Sequence, residues 1–196
     1  LVWISQKSKI STFRIGAIVV QFLMIISLML DWTQTYSYYS EIVLQPFLNK
    51  IFITGLLAIT SFVATYFLLK KETVPMNFYF ITIEPKPYKR IALVCSIVIG
   101  YLVGMLEIVY QTIEFYSNDA SILSYAVVYH YVFTSILVYF LFKFKNKVNN
   151  IMALILSGIN ILFYLLIFHR LTFNEISNNL NYNFNSNSAF IGHYVI

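Results

Sequence analysis

The sequence predicts an all-α, polytopic transmembrane helix bundle that crosses the bilayer five times. Of its 196 residues, 59% are hydrophobic and only 11% are charged, with a mean hydropathy of +0.74. Soluble proteins carry about 25% charged residues, so this composition is typical of an integral membrane protein. Five apolar runs approach or exceed the ~20 residues that span a ~30 Å hydrocarbon layer. The alternating pattern of a membrane β-barrel is absent, which indicates helices.

The spans divide the chain into a membrane domain and an outer segment. We expect a transmembrane domain over residues 1–170, with helices at about 13–30, 51–69, 91–113, 122–142 and 151–168. Residues 171–196 are rich in Asn and Ser, which favours an extended tether over the alternative of a helical start. The chain begins at Leu1, and residues 190–196 read like the approach to a further span. We therefore expect it to be part of a longer protein.

The basic residues predict the orientation of the helices. With the N-terminus in the cytosol, every Lys and Arg except Lys50 and Arg170 lies on an inner flank, and this asymmetry sets topology. The inner residues are Lys7, Lys9, Arg14, Lys70, Lys71, Lys86, Lys89, Arg90, Lys143, Lys145 and Lys147. The acids predicted outside are Asp31, Glu41, Glu114, Asp119 and Glu175. The inner connection contains Pro75, Pro85 and Pro87 around residues 76–83, a strip too short to cross that we expect at the membrane surface.

One face of the third span differs from the rest of that helix. Gly100, Gly104, Glu107 and Gln111 are spaced i, i+4, i+7 and i+11, which places them within roughly 60° of one another on a helix. We interpret Gly100 and Gly104 as helix-packing positions, because glycines let backbones approach closely in lipid. A carboxylate at membrane depth needs a partner, so Glu107 is the first candidate for a functional residue.

His130 and Asp31 complete the candidate substrate or proton site. By helical rise, Glu107 and His130 lie at similar depths, roughly 9 to 12 Å below the outer boundary, in neighbouring antiparallel helices. Ala126 and Thr134 extend the small, polar face around His130, and Asp31 lies at the outer end of the first span. A carboxylate near an imidazole suits proton-coupled transport or acid and base catalysis. The alternative is that both residues only bond helices together.

Other polar residues are weaker candidates. Gln21, Gln111 and Asn160, the last near Ser157, are more typical of bonds between helices than of substrate binding. His169 and Arg170 could receive an anionic group, although an interfacial anchor is the more common role of such residues.

Several classes of chemistry find no support in the sequence. No nucleotide-binding, zinc-protease, dithiol or serine-hydrolase motif occurs. With three histidines and the single Cys95, we expect no metal site and no cofactor. The net charge of +5 comes from residues that flank the spans, so we expect no nucleic-acid partner.

One stretch carries a resemblance to known proteins. Residues 104–111, GMLEIVYQ, together with Lys70-Lys71 and the connection 85–90, resemble segments of an uncharacterised bacterial family of long polytopic membrane proteins of unknown function. The similarity covers about residues 60–145. It implies that this chain is a segment of a larger protein, and it brings no catalytic residues.

These observations lead to three expectations about function. The first is a transporter or permease-like component of the bacterial inner (plasma) membrane, with a polar site open to the outer side. The others are a structural or assembly module, and an enzyme of lipid-linked sugar chemistry in the cell envelope. The predicted outer loops, residues 31–46 and 114–121, are short, which disfavours an enzyme with extramembrane walls. As partners we expect membrane lipids and either further helices of a longer chain or further copies.

Overall fold

The computed structural model describes residues 1–37, 44–78, 81–115, 119–144, 146–182 and 191–192. The elements in chain order are α1 (Val2–Ser8), α2 (Ser11–Ser37), α3 (Lys50–Leu69), β1 (Met76–Phe78), β2 (Ile81–Ile83), α4 (Pro85–Phe115), α5 (Asp119–Lys143), α6 (Lys147–Phe163), a π-helical turn (Tyr164–Phe168) and α7 (His169–Tyr182). Five helical segments are long and apolar enough to cross a membrane: Ser11–Tyr36, Lys50–Leu69, Pro85–Phe115, Ile122–Lys143 and Lys147–Asn178. The prediction of five spans is confirmed.

The helix starts follow from local sequence. The side chain of Asn49 caps α3 by accepting a 2.8 Å hydrogen bond from the backbone N–H of Phe52, and Asn146 caps α6 through the N–H of Val148. Such caps satisfy N–H groups that have no partner within the helix. Pro85 begins α4, where a missing N–H costs nothing.

The strip between α3 and α4 forms a β-hairpin. β1 and β2 pair antiparallel, with Met76 opposite Ile83 and Phe78 opposite Ile81. The sequence predicts that residues 76–83 lie at the membrane surface, but it does not predict strands there. The strip is bounded by Pro75 and Glu84-Pro85, and its Phe, Ile and Thr residues favour extended structure.

The helix after the fifth predicted span continues further than expected. Residues His169–Tyr182 are helical, where the sequence analysis favours an extended tether. Phe168, Thr172 and Glu175 are spaced i, i+4 and i+7 and are all buried, so this stripe holds the helix against its unit. Residues 183–190 and 193–196 of the predicted outer segment lie outside the described residues, as do Glu41 and Lys145.

The chain divides into two compact units, and the boundary falls within α4. Unit 1 is Leu1–Val103 and unit 2 is Gly104–Ile196. A buried cluster in unit 1 joins Val2, Ala17, Leu69 and Tyr88. In unit 2 the corresponding cluster is Val127, Tyr131 and Phe168.

Large apolar side chains remain exposed along the spans. On the segment Lys147–Asn178, Leu154 is 63% exposed, Leu162 58% and Leu166 72%. In water such an apolar surface would promote aggregation, but acyl chains are as apolar as leucine and solvate it. These faces therefore fit a helix whose solvent is lipid.

Two glycines allow close helix contacts. A Cβ atom added to Gly55 of α3 would lie 2.5 Å from a methyl of Val103, within unit 1. A Cβ added to Gly104 would lie 2.7 Å from Cζ of Tyr129 and closer still to its hydroxyl, within unit 2. At Gly100 the nearest atom would be Cδ1 of Ile59 at 3.8 Å, an ordinary contact.

Gly104 and Gly100 therefore make a matched pair of positions on one helix. We expect Gly104→Ala to lower the stability by about 1–3 kcal/mol relative to Gly100→Ala, because the added methyl overlaps the ring of Tyr129. Gly100→Ala should be neutral or mildly stabilising, since Ala favours a helix over Gly. The measurement is thermal unfolding of the purified variants in detergent micelles. In a Tyr129→Leu background the cost of Gly104→Ala should disappear, and equal behaviour of the two alanine variants would contradict the packing described here.

Candidate polar sites in the membrane-spanning helices

Asn160 is the centre of a hydrogen-bond network in unit 2. Its Nδ2 donates to Thr134 Oγ1 over 2.9 Å, and His130 Nε2 lies 3.2 Å from its Oδ1. Because Oδ1 can only accept, this geometry assigns a proton to Nε2 of His130. Thr134 in turn donates to the backbone carbonyl of His130 over 2.7 Å. The network joins α5 to α6 with three side chains.

Aromatic rings surround this network. The ring of His130 lies 5.0 Å from that of Phe163, centroid to centroid. The ring of Tyr131 packs against those of Phe163, Tyr164 and Phe168, with centroid-to-centroid distances of 6.1 to 6.4 Å. Its hydroxyl donates to the backbone carbonyl of Asn160 over 2.9 Å. Tyr131 thus packs one end in an apolar cluster and bonds the other end to α6.

The helix that carries Asn160 changes its winding immediately afterwards. Residues Tyr164–Phe168 form a π-helical turn, and the carbonyl of Asn160 accepts from the N–H of Tyr164 as well as from Tyr131. Single π-helical turns are rare and are frequent at functional sites. This turn brings Tyr164 and Phe168 against Tyr131.

A groove of about 590 Å³ lies between α5 and α6 beside Asn160. Its volume falls within the roughly 300–1,000 Å³ that is typical of small-molecule sites. The lining residues are Tyr131, Ser135, Val138, Tyr139, Ser157, Asn160, Ile161, Tyr164 and Leu165. The wall is largely apolar, and its polar groups are hydroxyls and one amide, with no charge.

Glu107 is fully buried in unit 2. It is 0% exposed, and its Oε1 accepts a 3.0 Å hydrogen bond from Nε2 of Gln111, one turn along α4. The glycine one turn earlier, Gly104, lies against Tyr129. The small and polar face of α4 is therefore turned into protein at these positions.

The predicted site residues divide between the two units. Glu107 and His130 belong to unit 2, whereas Asp31 is a half-buried residue of α2 in unit 1. His130 is hydrogen-bonded to Asn160 of α6, a residue that the sequence predicts only as a weaker candidate. The spacing of Ser157, Asn160 and Tyr164 at i, i+3 and i+7 is the sequence signal that places them on one face.

Unit 1 has a polar network of its own. Gln21 of α2 donates to Thr65 of α3 over 2.7 Å and accepts from the hydroxyl of Tyr88 of α4 over 2.8 Å. One amide thereby connects three helices. The hydroxyl of Thr65 in turn donates to the backbone carbonyl of Ser61 over 2.9 Å.

Arg14 is the unusual residue of unit 1. Its side chain is 0% exposed, and its Nη2 lies 3.6 Å from Oε2 of Glu72, whose side chain is 20% exposed. That distance is an ion pair but not a hydrogen bond. Nε, Nη1 and Nη2 have no hydrogen-bond partner within the described residues. A buried guanidinium in this condition is costly. From its place at the start of a span, Arg14 is predicted only to set the topology.

These features define the class of the protein. It is an α-helical membrane protein whose described residues include five helices long and apolar enough to cross a bilayer, and polar side chains such as Gln21 and Asn160 bond between these helices. Within the part of the chain that the structure describes, no three His, Cys, Asp or Glu residues are grouped as metal ligands would be. Comparison with known protein families, with curated proteins and with solved structures gives no match to this chain.

Asn160 and Asn150 allow a matched test of the network in unit 2. We expect Asn160→Leu to lower the free energy of unfolding by about 1–2 kcal/mol, because it removes the bonds to His130 and Thr134 within a lipid-embedded unit. Asn150→Leu, on the same helix, should be neutral or stabilising, since Oδ1 of Asn150 is buried without a hydrogen-bond partner. Unfolding in mixed micelles measures both. A larger loss for Asn150→Leu than for Asn160→Leu would refute the assignment.

Proposed function

We propose that the protein is a transporter or permease-like component of the bacterial inner membrane, and that the groove beside Asn160 is its substrate site. The observation that carries the proposal is a groove of about 590 Å³ at membrane depth that is lined by hydroxyls and an amide. Polar groups within the membrane are costly and commonly mark substrate or ion pathways.

The neighbouring residues supply what a transport site requires. His130 is bonded to Asn160, whose side chain lines the groove, so a change in the protonation of His130 would be felt at the groove wall. The π-helical turn after Asn160 gives α6 a point at which its winding can change. Together these features favour a site whose wall can change shape, and the proton coupling that the sequence suggests for Glu107 and His130 stays a prediction.

The orientation belongs to the same proposal. With the N-terminus in the cytosol, the basic ends of α2, α4 and α6 lie inside. In this orientation the end of the groove at Tyr131 and Leu165 lies toward the outer side, and the proposal is that the groove opens there. On this proposal the chain is part of a larger membrane protein, as its resemblance to long polytopic proteins implies.

A structural or assembly module is the second candidate. The observation that favours it is that His130, Thr134 and Asn160 already satisfy one another, as residues that only join helices would. The two candidates differ in whether water enters the groove.

Water access to Ser157 tests the proposal. In a Cys95→Ser background, which leaves no cysteine in the chain, we compare Ser157→Cys with Ile159→Cys. Ser157 lines the groove, whereas Ile159 is two residues away and 54% exposed on a lipid-facing surface. A charged, membrane-impermeant thiol reagent added to intact cells should modify Ser157→Cys at least about tenfold faster, because thiolate formation requires water.

Two other outcomes would count against parts of the proposal. If neither cysteine reacts even in permeabilised cells, the groove is filled by lipid or protein and the structural module is favoured. If Ser157→Cys reacts only after permeabilisation, the groove is a water-filled site that opens to the cytosol, and the outward opening is wrong.

A further inference from the structure

The wall of the groove beside Asn160 carries no charge. Of the described residues, nine line this groove, and none of them is an acid, a lysine, an arginine or a histidine. His130 is bonded to Asn160 but is not a lining residue. Lys143, at the end of α5, has its Nζ 6.0 Å from the ring centroid of Tyr139 and does not line the groove either. The wall therefore offers no opposite charge to a charged solute.

Three hydroxyl groups of this wall are available to a ligand. Within the part of the chain that the structure describes, the hydroxyls of Ser135, Ser157 and Tyr139 make no hydrogen bond. Ser135 is exposed and Ser157 is half-buried. A hydroxyl can both donate and accept, so each of the three can pair with a hydroxyl, carbonyl or amide group. The side chain of Asn160, in contrast, is already bonded within unit 2.

The two serines lie near the middle of their membrane-spanning helices. Ser157 is ten residues from Lys147, the first residue of α6, and Ser135 is eight residues from Lys143, the last residue of α5. These separations correspond to about 15 Å and about 12 Å, and half of a ~30 Å hydrocarbon layer is about 15 Å. Transporters commonly bind their substrates at this depth. A charge is costly here unless the protein supplies a partner, and this wall supplies none.

The rest of the wall is aliphatic or aromatic. Val138, Ile161 and Leu165 present aliphatic surface. Tyr131 and Tyr164, whose ring centroids are 6.4 Å apart, present aromatic surface. Small-molecule sites are usually of this kind, with a few polar groups set in a mostly apolar wall. A solute that fits the groove must therefore carry apolar surface as well as polar groups.

We propose that the groove binds an uncharged solute that has an apolar body and several hydroxyl, carbonyl or amide groups. This inference rests on the proposed function, because it names the class of substrate that the proposed site takes. The hydroxyls of Ser135 and Ser157 bind the polar groups of the solute, and the aliphatic and aromatic wall binds its body. Ions, amino acids and carboxylates are rejected, because none of the lining residues pairs with their charge.

Three small molecules with a common body allow charge to be tested alone. Styrene glycol, mandelate and phenylethanolamine each carry a phenyl ring and a hydroxyl on the adjacent carbon. Their remaining group is a neutral hydroxymethyl, a carboxylate and an aminomethyl group that is protonated at neutral pH, respectively. Glycerol, which lacks the phenyl body, is the fourth solute. We measure how each solute slows the reaction of Ser157→Cys with N-ethylmaleimide, an uncharged reagent, in bilayers and in a Cys95→Ser background.

Styrene glycol should halve the rate of this reaction at about a tenfold lower concentration than mandelate or phenylethanolamine, because a charge at membrane depth costs at least this much in affinity. Glycerol should protect weakly. Ser135→Ala should raise the half-protecting concentration of styrene glycol by about threefold to tenfold, since it removes one hydrogen bond. Ser27→Ala should leave that concentration unchanged, because Ser27 is an exposed serine of α2 in unit 1 and does not line the groove.

The possible outcomes separate this inference from the proposed function. If Ser157→Cys reacts but mandelate, phenylethanolamine or glycerol protects it as well as styrene glycol does, the substrate class is wrong although the groove is open to water. The same conclusion follows if none of the four solutes protects it, or if Ser135→Ala leaves the protection by styrene glycol unchanged. If Ser157→Cys does not react at all, the proposed function fails and this inference fails with it.

Discussion

The structure depends on one constraint, which is that hydrocarbon offers no hydrogen-bond partner to a polar side chain. Each polar group at membrane depth must therefore find its partner within the protein. Gln21 does so by joining Thr65 and Tyr88, and Asn160 by joining His130 and Thr134. In both units the amide lies between helices while leucine and isoleucine face outward. The same constraint thus fixes which face of each helix is buried.

The same constraint identifies the places where the structure is not self-sufficient. The groove beside Asn160 is not one of them, because Asn160 is bonded to His130 and Thr134. Arg14 presents buried donors that no described residue accepts. A satisfied network stabilises a helix seam, and an unsatisfied one calls for a ligand. The two units thereby differ, because the polar side chains around Asn160 bond to one another, whereas the guanidinium of Arg14 bonds to none of the described residues.

Apolar run length predicts the five spans because it depends on composition alone. The polar contacts between helices are harder to predict from the sequence, because they depend on which helices are neighbours. Glu107 stands out in the sequence as an acid within an apolar run, and in the structure it is completely buried. Arg14 could not be recognised, since a basic residue at the start of a span ordinarily sets topology. Its burial and its proximity to Glu72 depend on residues distant in the sequence, which no local pattern reveals. The α7 helix was missed for a similar reason, because the Asn-rich composition conceals the buried stripe of Phe168, Thr172 and Glu175.

The central claim is that the polar face of the long helix α4 is turned into protein while its other faces meet lipid. Spin labels placed singly along residues 91–111, in bilayers, test it through their accessibility to oxygen and to a water-soluble nickel complex. We predict high oxygen and low nickel accessibility at Val94 and Val98, which are 56% and 49% exposed, and low accessibility to both at Gly100 and Glu107, with a helical period. High oxygen accessibility at Glu107, or high nickel accessibility throughout, would contradict the account.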